Sequence, residues 1–379
     1  MCARSEGRDS SAAPRVRRGC PREVRAGARG AALAAVAAAA LVAGGCGAPS
    51  PGPSCAPIAS AATKAGATLA PTALPGWAAD DLDGLAAALA RQCALAAAAS
   101  AWPALCRDRP ATGPALKAWI ERRMLAEPLV ADDGRPAGLI TGYHEPELAG
   151  SRVRTSPAQV PLYRRPPDVI VSMRPARSAI EQGTLLAGHE LAWVDDPVEA
   201  FFLQVQGSGR LRLRDGSVMR VGYAGDNGLP YHAIGRTLVD RGALSAGQVD
   251  APAIKDWLRA HPADAAQVMR TNPRYVFFRE LPPAGADEGP PGSLGVALTP
   301  LRSVAVDPAR IAPGSLLYLA TTHPADGRPL ERVVVAQDTG AAIRGTVRAD
   351  LFWGAGPQAA LAAGTMKQAG RLWLLRLAP

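Results

Sequence analysis

Short apolar runs separated by glycine, proline and aspartate turns dominate the chain from residue 138 onward. Runs of this length are typical of β-strands, and Asp215-Gly216 has the chemistry of a tight hairpin turn. Many short, closely spaced strands favour a closed barrel over an open parallel sheet, so the predicted fold is mainly β with α segments. We predict strands at 138–143, 160–164, 168–172, 199–206, 210–214, 217–223, 275–280, 295–298, 303–306, 315–320, 333–337 and 371–375. We predict helices at 80–99, 114–125, 230–240, 250–260 and 263–270.

Residues 1–45 have the composition of a secretory signal peptide. Eight arginines precede an apolar run at 31–43, and small residues follow it up to Cys46. Such a run is too short to span a bilayer comfortably, and the whole pattern is typical of a cleaved leader. The ending VAGGC resembles a bacterial lipobox and predicts lipidation of Cys46, which would anchor a periplasmic protein to the outer membrane. Simple cleavage near Gly47 is the alternative, and it also places the protein outside the cytoplasm.

The net charge of +9 is partly a property of this leader. Without residues 1–45 the chain keeps 34 basic and 30 acidic residues, a surplus of about four positive charges. Proteins that bind nucleic acid concentrate basic residues on one face, and so small a surplus gives no such face. The composition therefore excludes nucleic acid as a partner.

Cysteine usage fits an oxidising compartment. Cys93 and Cys106 flank the end of a predicted helix and could form a disulfide, although two buried thiols are the alternative. Cys55 lies in residues 46–75, a segment rich in alanine, proline, serine and glycine that is predicted to be a flexible tether. The sequence has no CxxC pair or Cys/His cluster, so it predicts no metal and no cofactor.

Two predicted strands end in clusters of polar residues. Tyr143 and Glu145 follow the strand at 138–143, while Tyr223, Asp226 and Asn227 lie just before a helix among three glycines. Polar groups at strand exits are candidate contacts for a substrate. The alternatives are a surface turn with Tyr143 packed inward, and a turn in which Asp226 or Asn227 caps the helix.

A third candidate site lies around the sequence FFLQVQGSG. If 199–206 is a strand, its alternation places Gln204 and Gln206 on one face, followed by Gly207 and Ser208. Amides in that position could bind sugar hydroxyl and acetamide groups. The alternative is the polar outer face of a barrel. The glycines do not form a phosphate loop, because the lysine and the longer spacing of that motif are missing.

The segment VVVAQDTGAAIRGTVRADLFWG carries two candidate acids, Asp338 and Asp350. Asp350 precedes Phe352 and Trp353, and an apolar wall would raise the pKa of its carboxyl group and let it donate a proton at neutral pH. The alternatives are a structural role for Asp338 and an ion pair of Asp350 with Arg348. A Gly-x-Ser-x-Gly motif is absent, which disfavours serine-hydrolase chemistry.

Six segments together resemble the membrane-bound lytic murein transglycosylase A family: TGYHEPEL, FFLQVQGSGRLRLRDG, RVGYAGDNGLPYHAIGRTL, NPRYVFFRE, SLGVALTPLRSVAVDP and AQDTGAAIRGTVRADLFWG. The resemblance implies a double-psi β-barrel domain made of residues 76–141 and 271–379, with the so-called 3D region at about 295–379. It also implies a smaller β-domain with helices inserted at 142–270, and a groove between the two that binds the glycan strands of peptidoglycan.

The resemblance also implies a reaction and roles for three aspartates. Enzymes of this family cleave the bond between N-acetylmuramic acid and N-acetylglucosamine without water, leaving 1,6-anhydromuramic ends, and they tend to be exo-acting. Asp350 matches the catalytic acid, Asp338 a supporting acid, and Asp307 the third aspartate, for which an ordinary turn before Pro308 is the alternative. Other cell-wall enzymes are possible partners. The rival hypotheses are an envelope lipoprotein that binds glycan without cleaving it, and a hydrolase that leaves reducing ends.

Overall fold

The computed structural model describes residues 67–285 and 288–379, so the predicted signal peptide, Cys46 and most of the predicted tether lie outside the described residues. Within the described part no helix is long and apolar enough to cross a membrane. That part forms thirteen strands: β1 Met124–Pro128, β2 Gly138–Glu145, β3 Glu147–Ser151, β4 Val160–Tyr163, β5 Glu190–Val194, β6 Ser208–Leu213, β7 Val218–Asp226, β8 Val276–Leu281, β9 Ser303–Val306, β10 Leu316–Thr322, β11 Pro329–Thr339, β12 Arg348–Ala355 and β13 Lys367–Leu377.

The helices are short and lie mostly in two groups, before β1 and between β4 and β8. They are α1 Leu85–Cys93, α2 Ala96–Ala101, α3 Pro103–Asp108, α4 Gly113–Arg123, α5 Asp168–Ser172, α6 Arg177–Gln182, α7 Pro197–Gln206, α8 Ile234–Asp240, α9 Ala251–Ala260, α10 Pro262–Arg270 and α11 Pro357–Thr365. Two 3-10 turns, Pro71–Ala73 and Trp77–Ala79, precede α1.

Six strands close into a barrel, which confirms the predicted mainly β barrel. Their order is β13-β10-β11-β9-β12-β2, and β2 pairs back to β13, while β1 extends the sheet beside the end of β13. Successive residues of a strand face opposite sides, so each strand supplies one set of side chains to the interior and another to the outside. The interior is filled by a cluster of buried aliphatic residues from all six strands, including Ile140, Val304, Leu319, Val334 and Leu351.

The outer face of the barrel has two different environments. At β1, β13, β10 and β11 it is covered by α1, α3 and α4, and Trp77, Tyr318 and Trp373 form the centre of that core. A disulfide between Cys93 and Cys106 links α1 to α3 there. At β9, β12 and β2 the outer face carries only a small buried cluster formed by Tyr143, Leu298, Ala305, Ile343 and Phe352.

A second sheet is inserted between β2 and β9. It has six strands in the order β4-β5-β3-β6-β7-β8, and α7 packs on it with Leu203 and Ala200 in its core. Since β8 pairs with β7 along Val276–Leu281, this sheet extends beyond residue 270, where the sequence analysis ended the inserted domain.

Three predicted strands are wrong. Residues 199–206 belong to helix α7, because Pro197 occupies its first turn and the Asp196 carboxylate accepts N–H groups from Val198 and Glu199 at 2.7 and 3.3 Å. Residues 168–172 form helix α5, and 295–298 contains only an isolated bridge between Ala297 and Pro291. The helix predicted at 80–99 is broken into α1 and α2.

Candidate active site

Asp338 and Asp350 lie on the outer face of the barrel, on the two strands that flank β9. Ala305 of β9 is the register partner of Asp338 on β11 and also of Asp350 on β12. Asp350 is in turn paired with Thr141 of β2. Register partners on neighbouring strands point to the same side of a sheet, so these four side chains form one row. Two strand spacings separate the acids, about 10 Å along the sheet, and Ala305 lies between them in the row.

A β-bulge makes this row possible. The pairing of β11 with β9 shifts between Ala336 and Asp338, so that Ala336 is paired with Val304 and Asp338 with Ala305. Ala336 and Val304 belong to the barrel interior, whereas Ala305 belongs to the outer cluster. Regular alternation would turn Asp338 to the same side as Ala336. The extra residue of the bulge therefore directs the Asp338 carboxylate outward.

The Asp350 carboxyl group is largely desolvated and accepts a single side-chain hydrogen bond. The hydroxyl of Thr141 donates to Asp350 Oδ1 at 2.6 Å. Burial raises the pKa of Asp350 to about 6; the Thr141 bond and the positive charge of Arg348 lower it, and the negative charge of Asp338 adds to the rise. At pH 7 roughly a tenth of Asp350 is therefore protonated, far more than of an aspartate with an ordinary pKa, and a proton donor needs this protonated form.

Asp338 accepts more hydrogen bonds than Asp350. Asp338 Oδ1 accepts the backbone N–H groups of Ser293 and Thr339 at 2.8 and 2.9 Å, and Asp338 Oδ2 accepts the Tyr143 hydroxyl at 2.9 Å. Burial raises the pKa of Asp338, and these three donors oppose the rise because they stabilise the ionised form. The two acids thus have different environments, one suited to hold a proton and one suited to hold a charge.

Aromatic side chains border both acids. The Tyr143 ring packs against the Phe352 ring, with 5.2 Å between centroids. Tyr231, from the loop before α8, approaches from the inserted sheet: burial raises its pKa, the Arg177 charge lowers it, and the Asp350 charge raises it further. The sequence analysis did not select Tyr231, although it lies four residues after Asn227 within the same polar segment.

Two family models match this chain. Residues 139–279 match the MltA specific insert domain and residues 302–376 match the 3D domain. The lytic transglycosylase LtgG of Burkholderia pseudomallei is 46% identical, with 84% of this chain and 97% of that chain covered and a TM-score of 0.57.

The chain belongs to the membrane-bound lytic murein transglycosylase A family.

The Escherichia coli member of the transglycosylase A family extends the comparison, in its sequence and in a solved structure. The Escherichia coli K12 enzyme is 34% identical over 246 residues, which is 63% of this chain and 66% of that protein. A structure of E. coli MltA with bound chitohexaose is 29% identical and covers 78% of this chain and 91% of that chain, with a TM-score of 0.67.

The third candidate acid of the 3D region, Asp307, has the contacts of a structural residue. Asp307 Oδ2 accepts the N–H of Gly345 at 2.9 Å and Oδ1 accepts that of Ala309 at 3.2 Å. The Gly345 bond, with a smaller effect of Ala309, lowers the pKa of Asp307 although partial burial opposes it. Its carboxylate holds the turn after β9 against the loop that leads into β12.

Three residues predicted to bind substrate have hydrogen-bond partners inside the protein. Glu145 is 0% exposed and its Oε2 accepts Arg210 Nε at 2.9 Å. Asn227 is also 0% exposed, and its amide donates to the carbonyls of residues 175 and 273. Gln204 is buried, and its carbonyl oxygen accepts Arg177 Nη2 at 2.8 Å. Their polar groups have internal partners, so they stabilise the insert domain.

The other predicted contacts in the insert domain remain half-buried or exposed. Gln206 Oε1 accepts the N–H of His144 at 3.0 Å, and Gly207 ends α7 in a left-handed conformation (φ +83°) before Ser208 opens β6. Tyr223 donates its hydroxyl to Asp226, and Asp226 Oδ2 also accepts Arg274 Nη2 at 2.6 Å.

Trp353 lies on the opposite face of β12 from Asp350. Its Nε1 donates to Met366 Sδ at 3.3 Å, and a Cβ on Gly142 would lie only 2.5 Å from that nitrogen. Of the aromatic wall predicted beside Asp350, only Phe352 shares its side of the sheet. No group of three or more His, Cys, Asp or Glu in the described part of the chain is arranged to hold a metal ion.

Proposed function

We propose that this protein is a lytic transglycosylase that cleaves the β-1,4 bond between N-acetylmuramic acid and N-acetylglucosamine in peptidoglycan and forms 1,6-anhydromuramic ends. The observation that carries the proposal is the Asp350 carboxyl group, whose raised pKa of about 6 suits proton donation, in a row with the hydrogen-bonded Asp338. Membership of the transglycosylase A family and the chitohexaose bound to its E. coli relative support a glycan substrate.

In this mechanism Asp350 acts twice. It first gives its proton to the glycosidic oxygen, and the bond from that oxygen to C1 of the muramic residue breaks. The C6 hydroxyl of the same residue then attacks C1 while the Asp350 carboxylate takes the hydroxyl proton. The proton balance closes without water, and the nucleophile is part of the substrate, so proximity supplies much of the rate.

Asp338 has a separate role in this mechanism. An oxocarbenium-like transition state carries positive charge near C1, and an ionised carboxylate at a fixed distance stabilises it. The N–H groups of Ser293 and Thr339 and the Tyr143 hydroxyl favour the ionised form of Asp338 and fix its position.

We further propose that the barrel has double-psi topology and that the glycan lies in a groove between it and the insert domain. Tyr231 supports this position, because it belongs to the insert domain and is sensitive to the charge of Asp350. Exo action, anchoring to the outer membrane through lipidated Cys46, a periplasmic location and association with other cell-wall enzymes are parts of the same proposal.

Digestion of purified peptidoglycan sacculi tests the reaction. The wild-type protein should release muropeptides whose muramic ends are lighter than reducing ends by one water, as read by mass spectrometry. Asp350→Asn should lower the rate by about 10³-fold or more while the protein stays folded. Reducing ends would show a hydrolase, and tight binding of sacculi without new ends would show a glycan-binding lipoprotein.

A further inference from the structure

The chain passes between the barrel and the insert domain twice. The first connection is Glu145-Pro146-Glu147, where β2 runs directly into β3. The second is the connection between β8 and β9, residues 282–302, of which 282–285 and 288–302 are described. The two connections are far apart in sequence, and one side chain of the insert domain contacts both.

That side chain is Arg220 of β7, which is 9% exposed. Its Nε lies 3.7 Å from Oε1 of Glu145 in the first connection. Its Nη1 donates to the carbonyl of Pro282 at 3.3 Å, and its Nη2 donates to the carbonyls of Glu288 and Gly289 at 3.3 and 3.0 Å. A guanidinium group presents five donors in a rigid plane, so Arg220 fixes both connections relative to one another.

Arg210 of β6 provides a natural comparison. Its Nε donates to Oε2 of the same Glu145 at 2.9 Å, so it also compensates the charge of that fully buried carboxylate. The hydrogen bonds to the second connection come from Arg220. Both arginines therefore neutralise the charge of Glu145. Arg220 also holds the second connection through its hydrogen bonds.

The same connection packs on β11 and β12, the strands that carry Asp338 and Asp350. Gly289 lies against the Phe352 ring so closely that a Cβ there would be 2.6 Å from Phe352 Cε1. A Cβ on Gly292 would be 2.4 Å from the carbonyl oxygen of Gln337. The next residue, Ser293, donates its N–H to Asp338. The position of the Ser293 amide thus depends on where Arg220 holds residues 288 and 289.

We propose that Arg220 is a positioning residue for the reaction: it ties the two interdomain connections together and so holds the 288–293 loop, with the Ser293 amide, against Asp338. This inference rests on the proposed function of Asp338. Arg220 does not touch the reacting atoms, and its effect reaches the site through the loop.

The test compares Arg220→Met with Arg210→Met in the full-length protein. Arg220→Met should lower kcat on sacculi by about 10-fold, because loss of correct placement weakens transition-state stabilisation, with KM changed less than about twofold. The acid limb of its pH–rate profile should also move to higher pH. This shift is expected because Asp338 loses a hydrogen-bond donor that favours its ionised form. Arg210→Met should lower the midpoint temperature of unfolding. Its kcat should stay within about twofold of wild type, and the acid side of its pH–rate profile should not move.

Hydrogen exchange gives a readout that does not depend on activity. Amides of residues 288–293 should exchange about 10-fold or more faster in Arg220→Met and at the wild-type rate in Arg210→Met. If Arg220→Met does not fold, Arg220→Lys keeps the charge next to Glu145 but loses the planar fork, and it should show the same loop exchange and a smaller fall in kcat.

The possible failures are distinct. An inactive wild-type protein with the expected loop exchange would overturn the proposed function and keep the role of Arg220 in holding the loop. An active wild type in which both methionine variants behave alike, in kcat, acid limb and loop exchange, would overturn the inference about Arg220.

Discussion

Asp338 and Asp350 face the same alanine from opposite sides, since Ala305 is the register partner of both. This relationship places them at one level of the barrel wall while their hydrogen bonds differ in number and kind. Thr141 alone donates a side-chain hydrogen bond to Asp350, whereas three groups donate to Asp338. The acids are therefore not interchangeable, and substitutions around each should affect opposite limbs of a pH profile.

Thr141→Val should move the alkaline limb of kcat to higher pH. The Thr141 hydroxyl stabilises ionised Asp350 and so lowers its pKa. Without that donor the pKa rises further above its present value of about 6, and the proton donor stays protonated to higher pH, by up to about one pH unit. Thr141→Ser keeps the hydroxyl and should resemble wild type. A shift toward lower pH in Thr141→Val would contradict Asp350 as the proton donor.

Tyr143→Phe should affect the other limb. The substitution removes the hydroxyl that donates to Asp338 Oδ2 and keeps the ring that packs against Phe352. Loss of a donor that lowers the pKa of Asp338 raises that pKa, so the acid limb of kcat moves to higher pH. We expect a fall in kcat of about 10-fold at neutral pH. The pH–rate profile of Tyr143→Leu, which also loses the ring, separates packing from hydrogen bonding.

Asp350→Asn should be more stable than wild type at neutral pH. Because the folded-state pKa of Asp350 is raised, this carboxyl group adds no cost to folding below the unfolded-state pKa near 4, and its cost grows as the pH rises through about 6. Asparagine avoids the cost of burying a charge, so the variant should gain up to about 3 kcal/mol at pH 7.5. Urea unfolding of both proteins measures the difference in their free energies of unfolding. The difference should be present at pH 7.5 and should largely vanish near pH 4.

Asp307→Asn is the matched control for that experiment. The pKa of Asp307 is lowered in the folded protein, so its contribution to stability is present above the unfolded-state pKa and is lost as the pH falls. This variant should be destabilised at pH 7.5, the opposite sign. Equal effects of the two substitutions would mean that the pKa values of the two carboxyl groups are not shifted in opposite directions.

Removing the disulfide should lower stability and leave catalysis almost unchanged. The bond between Cys93 and Cys106 closes a loop with a sequence separation of 13, for which chain entropy predicts about 3 kcal/mol. It lies among helices on the face of the barrel that packs around Tyr318 and Trp373. Cys93→Ser combined with Cys106→Ser should therefore shift the urea midpoint with kcat within about twofold of wild type. Cys55→Ser should change neither quantity.

The sequence was sufficient to predict the barrel and the two acids of the outer wall. Most predicted strands of the barrel lie where the structure has them. Their sequences either alternate apolar and polar residues or form apolar runs bounded by turns, and both patterns are typical of strands. The error at 199–206 has a local cause. An apolar run of eight residues is compatible with a strand or with a buried helix. Here Asp196 caps the first turn, and the capping contacts stabilise the helix.

The substrate contacts were harder to predict, because burial depends on partners distant in sequence. Glu145 looked like an exposed strand end, yet Arg210 and Arg220 of two other strands enclose it. The Asp350 charge raises the pKa of Tyr231, although the two residues are far apart in sequence. Trp353 follows Phe352 in sequence, and strand alternation alone would have placed it on the other face from Asp350.

The bulge at Ala336 and Asp338 has a consequence for how such a wall can change. One inserted residue decides whether a carboxylate faces the aliphatic interior or the outer surface beside Asp350. If β11 paired with β9 without the bulge, Gln337 would become the partner of Ala305, and Asp338 would turn to the inside, where a charge is costly. A change of strand register by a single residue, with no acid substituted, is thus enough to replace the Asp338 carboxylate on the outer wall by the uncharged amide of Gln337.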